Sequence, residues 1–284
     1  MIKGIILDVD GVIVGSRKGY NYLLPHTDVI AALKHLRQRG IMVSLCTGKG
    51  TFAIKEIVEA AHLNNLHIGD GGAVVMDFLN NVVIDKHVIA KDVIESILPV
   101  LQARGTYIEL YTLDGYFVQR NAVGEITKQH GAILGRAPFI VNSLNDVVKN
   151  SDIVKIMPVA KDDKDKQEII STLKDFQDSF PLQWGVHPTA LPYQFGIITA
   201  NGISKKQAVQ AISEYTKISL ENMLGIGDGM TDWQFMEICG YAGAMGNGSQ
   251  ELKDKIVTKG ERGFIGGSVD ENGVLDILKH FKVV

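Results

Sequence analysis

Two acidic pairs stand out by their spacing: Asp8-Val9-Asp10-Gly11 and Gly227-Asp228-Gly229-Met230-Thr231-Asp232. Side chains two apart on a strand share a direction, so Asp8 and Asp10 face one point at the end of the apolar run Ile5-Ile6-Leu7. Crowded carboxylates push their pKa values apart unless a cation sits between them, which leaves one as a nucleophile and the other to handle protons. Asp228 and Asp232 add hard oxygen donors after a second apolar run, Leu224 to Ile226, a set that suits Mg²⁺ with water and phosphate oxygens. Thr47-Gly48 offers a hydroxyl and a glycine backbone as donors to an anion, aided by a following helix N-terminus. Lys205, in Gly202-Ile203-Ser204-Lys205-Lys206, falls in the first turn of a helix, where the dipole disfavours a cation; that placement points to function. Each feature has a plainer counterpart, namely an acidic turn, a common Thr-Gly turn, or capping by Thr231 or Asp232. Capping does not account for Asp228.

These residues need elements to hold them. Lys3 to Leu7 reads as a buried strand, and Asp28 as the N-cap of a helix carrying Ile30, Leu33 and Leu36 on one face, with Gly40 past its end. Ile41 to Cys46 is a second strand, and Thr51 caps a helix with Ala53, Ile57 and Ala60. This alternation implies βαβ units and a parallel sheet. The last third repeats it: a helix from Ser204, a strand Met223 to Ile226, a helix Thr231 to Cys239, a strand Tyr241 to Met245 and a closing helix Gly273 to Phe281. The middle differs. A helix Ala90 to Arg104 precedes strand-like residues around Asp114-Gly115, a hairpin signal. A strand Ile153 to Met157, a charged helix Asp162 to Phe176, and strands near Leu182 to Val186 and Tyr193 to Ile198 follow. The expectation is an α/β core of residues 1–85 and 192–284, interrupted by an α+β module of residues 86–191.

Composition narrows the function classes. The chain has 284 residues, 45% hydrophobic and 21% charged, the balance of a globular protein able to build its core without disulfides. Lys+Arg 29 against Asp+Glu 32 gives a net charge of −3, which provides no basic field for nucleic acid or an anionic membrane. No apolar run reaches the roughly 18 residues of a membrane span. Asp8 comes too early for a signal peptide, and Cys46 and Cys239 have no paired spacing, so a cytoplasmic location is expected. No Walker A, GxGxxG or Cys/His metal pattern occurs, and Gly48-Lys49-Gly50 lacks the required spacing.

Taken in order, two acids, a hydroxyl, a lysine and two acids resemble the haloacid dehalogenase (HAD) superfamily, and within it the Cof-type phosphatases with a type IIB cap. Asp8-Val9-Asp10-Gly11 matches the first motif, Thr47-Gly48 the second, Lys205 the third, and Gly227-Asp228 with Asp232 the fourth; Ala244-Met245-Gly246-Asn247 resembles the stretch that follows. The resemblance implies a Rossmannoid parallel sheet with an inserted cap domain, and a Mg²⁺-dependent phosphatase of small phosphorylated metabolites, sugar phosphates included. By it, Asp8 is the nucleophile that forms an aspartyl-phosphate, Asp10 the general acid and base, and Thr47, Gly48 and Lys205 the phosphate holders. The metal belongs to Asp8, Asp10 (through its backbone carbonyl) and Asp228, with Asp232 steadying its water or Lys205. The cap is expected to close over the site and contact the leaving group. His187 in Val186-His187-Pro188 and Asn247 are the substrate candidates, with Trp184, Tyr193 and Arg120 also considered for the chamber. A monomer or homodimer is expected. Alternatives are a sugar phosphomutase, a dehalogenase, or a catalytically silent phosphate-binding protein of the same fold. Three departures from the family pattern occur: Val12 for the usual Thr, Thr231 for Asn, and Gly71-Gly72-Ala73 where Asn-Gly-Ala is frequent.

Overall fold

A computed structural model describes residues 1–284, the side chain of Pro188 apart. The chain divides into two compact units, one of Met1–Thr47, Ile54–Asp85 and Ser204–Val284, the other of Gly48–Ala53 and Lys86–Ile203. In chain order the first unit supplies β1 (Gly4–Leu7), α1 (Thr27–Gln38), β2 (Met42–Leu45), α2 (Lys55–Ala60), β3 (His67–Gly69), β4 (Val74–Asp77) and β5 (Val82–Lys86). The second supplies α3 (Lys91–Arg104), β6 (Tyr107–Thr112), β7 (Gly115–Gln119), α4 (Glu125–Leu134), β8 (Phe139–Val141), α5 (Leu144–Asn150), β9 (Lys155–Ala160), α6 (Asp163–Thr172), β10 (Leu182–Val186) and β11 (Gln194–Ile198). The first unit then resumes with α7 (Lys205–Thr216), β12 (Met223–Gly227), α8 (Met230–Met236), β13 (Tyr241–Ala244), α9 (Gln250–Val257), β14 (Gly263–Ile265) and α10 (Val274–His280).

The core sheet has the order β14-β13-β12-β1-β2, with its neighbouring strands parallel. Its strands are apolar because both faces are covered. Ile5 and Leu7 of β1 pack on one side with Val29, Leu33 and Leu36 of α1 and Ile277 and Leu278 of α10. Ile6 points the other way, toward Ala208, Val209 and Ile212 of α7, Phe235 of α8 and Leu252 of α9. β1 pairs with β12 (Leu7 opposite Ile226) and with β2 (Leu7 opposite Leu45), so three strand ends lie level at the carboxyl edge of the sheet. Open α/β sheets bind ligands at that edge.

Beside β2 stands a small sheet, β3-β4-β5, that hydropathy patterning does not foretell. β3 has three residues, too short to display a period, and its turn into β4 runs through positive φ at Asp70, Gly71 and Gly72. Gly71 has φ +71, a conformation Gly and Asn adopt readily, which explains why Gly is tolerated where Asn is frequent.

The second unit is an α+β layer pair. Its sheet runs β10-β11-β9-β6-β7-β8, with β7 and β8 parallel and the other neighbours antiparallel. Ile108 and Leu110 of β6 and Ile156 of β9 pack with α3, α5 and α6 residues including Leu98, Val147 and Ile169. Asp162 caps α6 by accepting from the Asp165 N–H, so the acidic run Asp162 to Asp165 serves as a helix start, as its composition indicates. Two boundaries differ from expectation. β11 pairs with β9 and β10, so the second unit continues past residue 191 to Ile203. The cap of α1 is His26, whose Nδ1 accepts from the Asp28 N–H, in place of Asp28 itself.

Candidate active site

The backbone at the end of β1 turns sharply: the Gly11 N–H donates to Val14 O at 2.8 Å, and Asp10 bridges to Val14. Asp8 is nearly buried, and its Oδ1 accepts from the Val9 N–H at 2.8 Å, which fixes the rotation of the carboxylate. Gly11 is required here for two reasons. Its φ is +76, and a Cβ would come within 2.0 Å of Asp228 Oδ2. The missing side chain is the space into which the fourth-motif carboxylate reaches.

Ser204 caps α7, its Oγ accepting from the Gln207 N–H, and this places Lys205 in the first helical turn. The Lys205 ammonium donates to Asp232 Oδ1 at 2.7 Å and lies 3.4 Å from Asp8 Oδ2. Asp232 Oδ2 in turn accepts from the N–H groups of Asp228 (3.0 Å) and Gly229 (3.1 Å), which closes the N-terminus of α8. Asp232 therefore both caps its helix and binds Lys205.

Asp8, Asp228 and Asp232 each offer an oxygen within 4.8 Å of the others. Burial foremost pushes the Asp8 carboxyl well above its ordinary range; Lys205 opposes this, while Asp232, Asp228 and Asp10 add to it. Burial, then the charge of Asp232, raises Asp228 to about 7. For Lys205 burial acts downward, but Asp232 and Asp8 outweigh it and hold the ammonium above its usual value. The cluster thus gathers carboxylates around a single lysine, and the Asp8 and Asp228 carboxyls are raised toward protonation. An all-oxygen donor set short of positive charge is what a small divalent cation fits. Both Asp232 oxygens are engaged within the protein, so Asp8 and Asp228 are the carboxylates placed to hold such an ion directly.

Thr47 follows β2 and is buried; its N–H donates to Ile68 O at 3.1 Å, and its carbonyl accepts from Gly71 N at 3.1 Å. Gly48 begins the segment assigned to the second unit, where its carbonyl accepts from Lys155 Nζ at 2.9 Å. The Asn247 amide donates to Gly11 O (2.9 Å) and its Oδ1 accepts from Val269 N (2.7 Å), which braces the Gly11 turn. His187 stands in the second unit with Nδ1 2.8 Å from Thr189 Oγ1. Trp184 packs against the helix-side core of that unit, and Arg120 Nε donates to Asn142 Oδ1 at 2.9 Å. Val12 is core, packed with Ile5 and Leu7, and Thr231 is exposed.

A polar group of the second unit escaped the sequence reading. Glu109, fully buried, lies 2.9 Å from His130 Nδ1 through both oxygens and accepts from Tyr111 Oη at 2.6 Å and Tyr107 Oη at 3.2 Å. Lys155 is equally buried. The available signal was a cation inside the apolar run Ile153 to Met157 and an acid inside Tyr107 to Tyr111, each breaking a buried strand.

The family model for haloacid dehalogenase-like hydrolases matches residues 5–278. The chain belongs to that family. It is 23% identical over 295 residues to a phosphatase of 5-amino-6-(5-phospho-D-ribitylamino)uracil, YwtE, from Bacillus subtilis, covering 96% of each chain. A haloacid dehalogenase-like hydrolase from Bacteroides thetaiotaomicron superposes with a TM-score of 0.84 at 18% identity, over 99% of this chain and 100% of the other. The HAD subclass IIB sugar phosphatase BT4131 gives a TM-score of 0.80 at 19% identity, over 99% and 100%. Both likenesses show the HAD fold, and family membership with relatives named as phosphatases supports phosphatase activity. No helix among the described residues is long and apolar enough to cross a membrane.

Proposed function

We propose that this HAD-like hydrolase is a Mg²⁺-dependent phosphomonoesterase that works through an aspartyl-phosphate on Asp8, with small phosphorylated metabolites, sugar phosphates among them, as substrates. The observation that carries this is the meeting of Asp8, Lys205, Asp228 and Asp232 at the carboxyl edge of β1 and β12. In the first step an Asp8 oxygen forms a bond to phosphorus as the ester oxygen departs, and Asp10 gives that oxygen its proton. In the second, Asp10 removes a proton from water, which attacks phosphorus and releases inorganic phosphate and free Asp8. Thr47, the Gly48 backbone and Lys205 hold the phosphoryl oxygens. Lys205, tethered by Asp232, keeps its ammonium beside Asp8 while charge moves. A Mg²⁺ ion held by Asp8, the Asp10 carbonyl and Asp228, with Asp232 behind them, would offset the repulsion between carboxylate and phosphate.

By the same reading the second unit recognises the leaving group, and the enzyme is cytoplasmic, a monomer or homodimer. The test is hydrolysis of p-nitrophenyl phosphate with Mg²⁺ and with chelator, for the native chain and for Asp8→Asn. The native enzyme is expected to turn over only with the ion. Asp8→Asn should lose at least about a thousandfold in kcat and form no acid-stable phosphoenzyme. Appreciable turnover by Asp8→Asn would remove Asp8 from the nucleophile's role.

A further inference from the structure

The segment Gly48–Ala53 leaves Thr47 and is anchored at three points within the second unit. Lys155 Nζ donates to the Gly48 carbonyl at 2.9 Å, Thr51 Oγ1 donates to Leu113 O at 3.3 Å, and the Phe52 ring stacks on Tyr111 and Tyr116 with centroids 6.1 and 5.9 Å apart. Lys155 opens β9 and stands opposite Tyr111 of β6 in the antiparallel register. Its ammonium sits 3.7 Å from the centroid of the Tyr111 ring, and the Tyr111 hydroxyl donates to the buried Glu109. A buried ammonium is costly unless each donor finds a partner. Among its contacts are an aromatic face and one backbone carbonyl, that of the residue after Thr47.

We propose that Lys155 is a positioning residue for the phosphate-holding turn: its bond to the Gly48 carbonyl fixes the Gly48–Lys49 peptide and so restricts rotation about Gly48, whose N–H, with the Thr47 hydroxyl, would meet a phosphoryl group. This rests on the assignment of Thr47-Gly48 as phosphate holders. Ile68 and Gly71 hold the N–H and the carbonyl of Thr47, the latter setting the Thr47–Gly48 peptide, and Lys155 holds the peptide after it. A group that acts on the phosphate holders, and not on the leaving group, affects every substrate alike.

The experiment measures competitive inhibition by inorganic phosphate with Mg²⁺, and KM and kcat on p-nitrophenyl phosphate and acetyl phosphate. It uses the full-length native chain, Lys155→Met, Lys155→Arg, Phe52→Leu and Thr47→Ala. Lys155→Met is expected to weaken phosphate about tenfold and to raise both KM values by the same factor, with kcat changed less. Lys155→Arg, which keeps a cationic donor, should recover most of the loss, and Phe52→Leu, which loosens the same segment elsewhere, should shift KM in the same direction. Phosphate inhibition unchanged in a folded Lys155→Met, no recovery in Lys155→Arg, or a loss confined to one of the two substrates would each overturn the proposal. If Thr47→Ala binds phosphate as tightly as the native chain, the assignment of the turn itself is wrong, a result independent of the Lys155 variants.

Discussion

At the scale of single residues the site depends on what is missing as much as on what is present. Gly11 has φ +76 and leaves room for Asp228 Oδ2, so Gly11→Ala meets backbone strain and a carboxylate together. The expected loss is about 1–3 kcal/mol of stability with a weakened affinity for Mg²⁺, read by urea unfolding and titration calorimetry. An unchanged unfolding midpoint and ion affinity would mean the turn has slack the structure does not suggest. Asp232 is the principal partner of a buried ammonium. Asp232→Asn leaves Lys205 facing only Asp8 at 3.4 Å and is expected to cost about 3 kcal/mol, with a matching fall in the denaturation midpoint. Such residue types and spacings were legible because DxDG and GDxxxD are local patterns at strand ends. The brace that Asn247 gives to Gly11 was not legible in the same way: it reaches across 236 positions, and no local pattern announces it.

At the scale of elements, β2 is closed on its outer side by side chains. The Leu45 N–H donates to His67 Nδ1 at 3.1 Å, Ser44 Oγ donates to Leu66 O, and Asn65 Nδ2 donates to Val43 O. His67 Nε2 meets Leu63 O at 2.8 Å, so the ring is neutral, with its proton on Nε2, and burial foremost lowers its pKa to about 4. An unfolded histidine titrates near 6.5. Between pH ~6.5 and pH 4 the unfolded chain binds a proton that the native chain refuses, so this contribution is full above pH ~6.5 and is lost as pH falls toward 4. The expected loss is about 3 kcal/mol across that window, obtained as the difference between native and His67→Asn unfolding free energies at successive pH values. A difference independent of pH would refute it. The sequence reading saw βαβ units on either side of this strand but not β3, β4 and β5, whose short strands and positive-φ turn leave no periodic trace.

For the molecule as a whole, the acid cluster is stabilised by whatever cation it binds, because only the folded chain assembles the donors. Mg²⁺ at about a hundred times its dissociation constant should add about 2.7 kcal/mol to the unit that carries the cluster. That amounts to a rise of about 5 °C or more in its melting transition by scanning calorimetry. Asp228→Asn should abolish the rise. A native chain whose transition ignores Mg²⁺ would show that the carboxylates do not form an ion site. The two-unit division was legible in the switch from alternating βαβ signals to hairpins, but its second boundary was not. β11 reads as a strand in either unit, and only its pairing with β9 and β10 assigns it to the second.

The sequence by itself determined the class of fold, the two acidic pairs at strand ends, the Thr-Gly turn and the lysine at a helix start, because backbone periodicity and capping chemistry act over a few residues. Tertiary structure alone decided which oxygens are committed: Asp232 to Lys205 and to its own helix, Asp228 to the space beside Gly11, Asn247 to a brace, and Lys155 to the Gly48 carbonyl. These assignments come from pairings between residues far apart in the chain. Each is selected by the packing of all the others, so no single stretch of sequence encodes it.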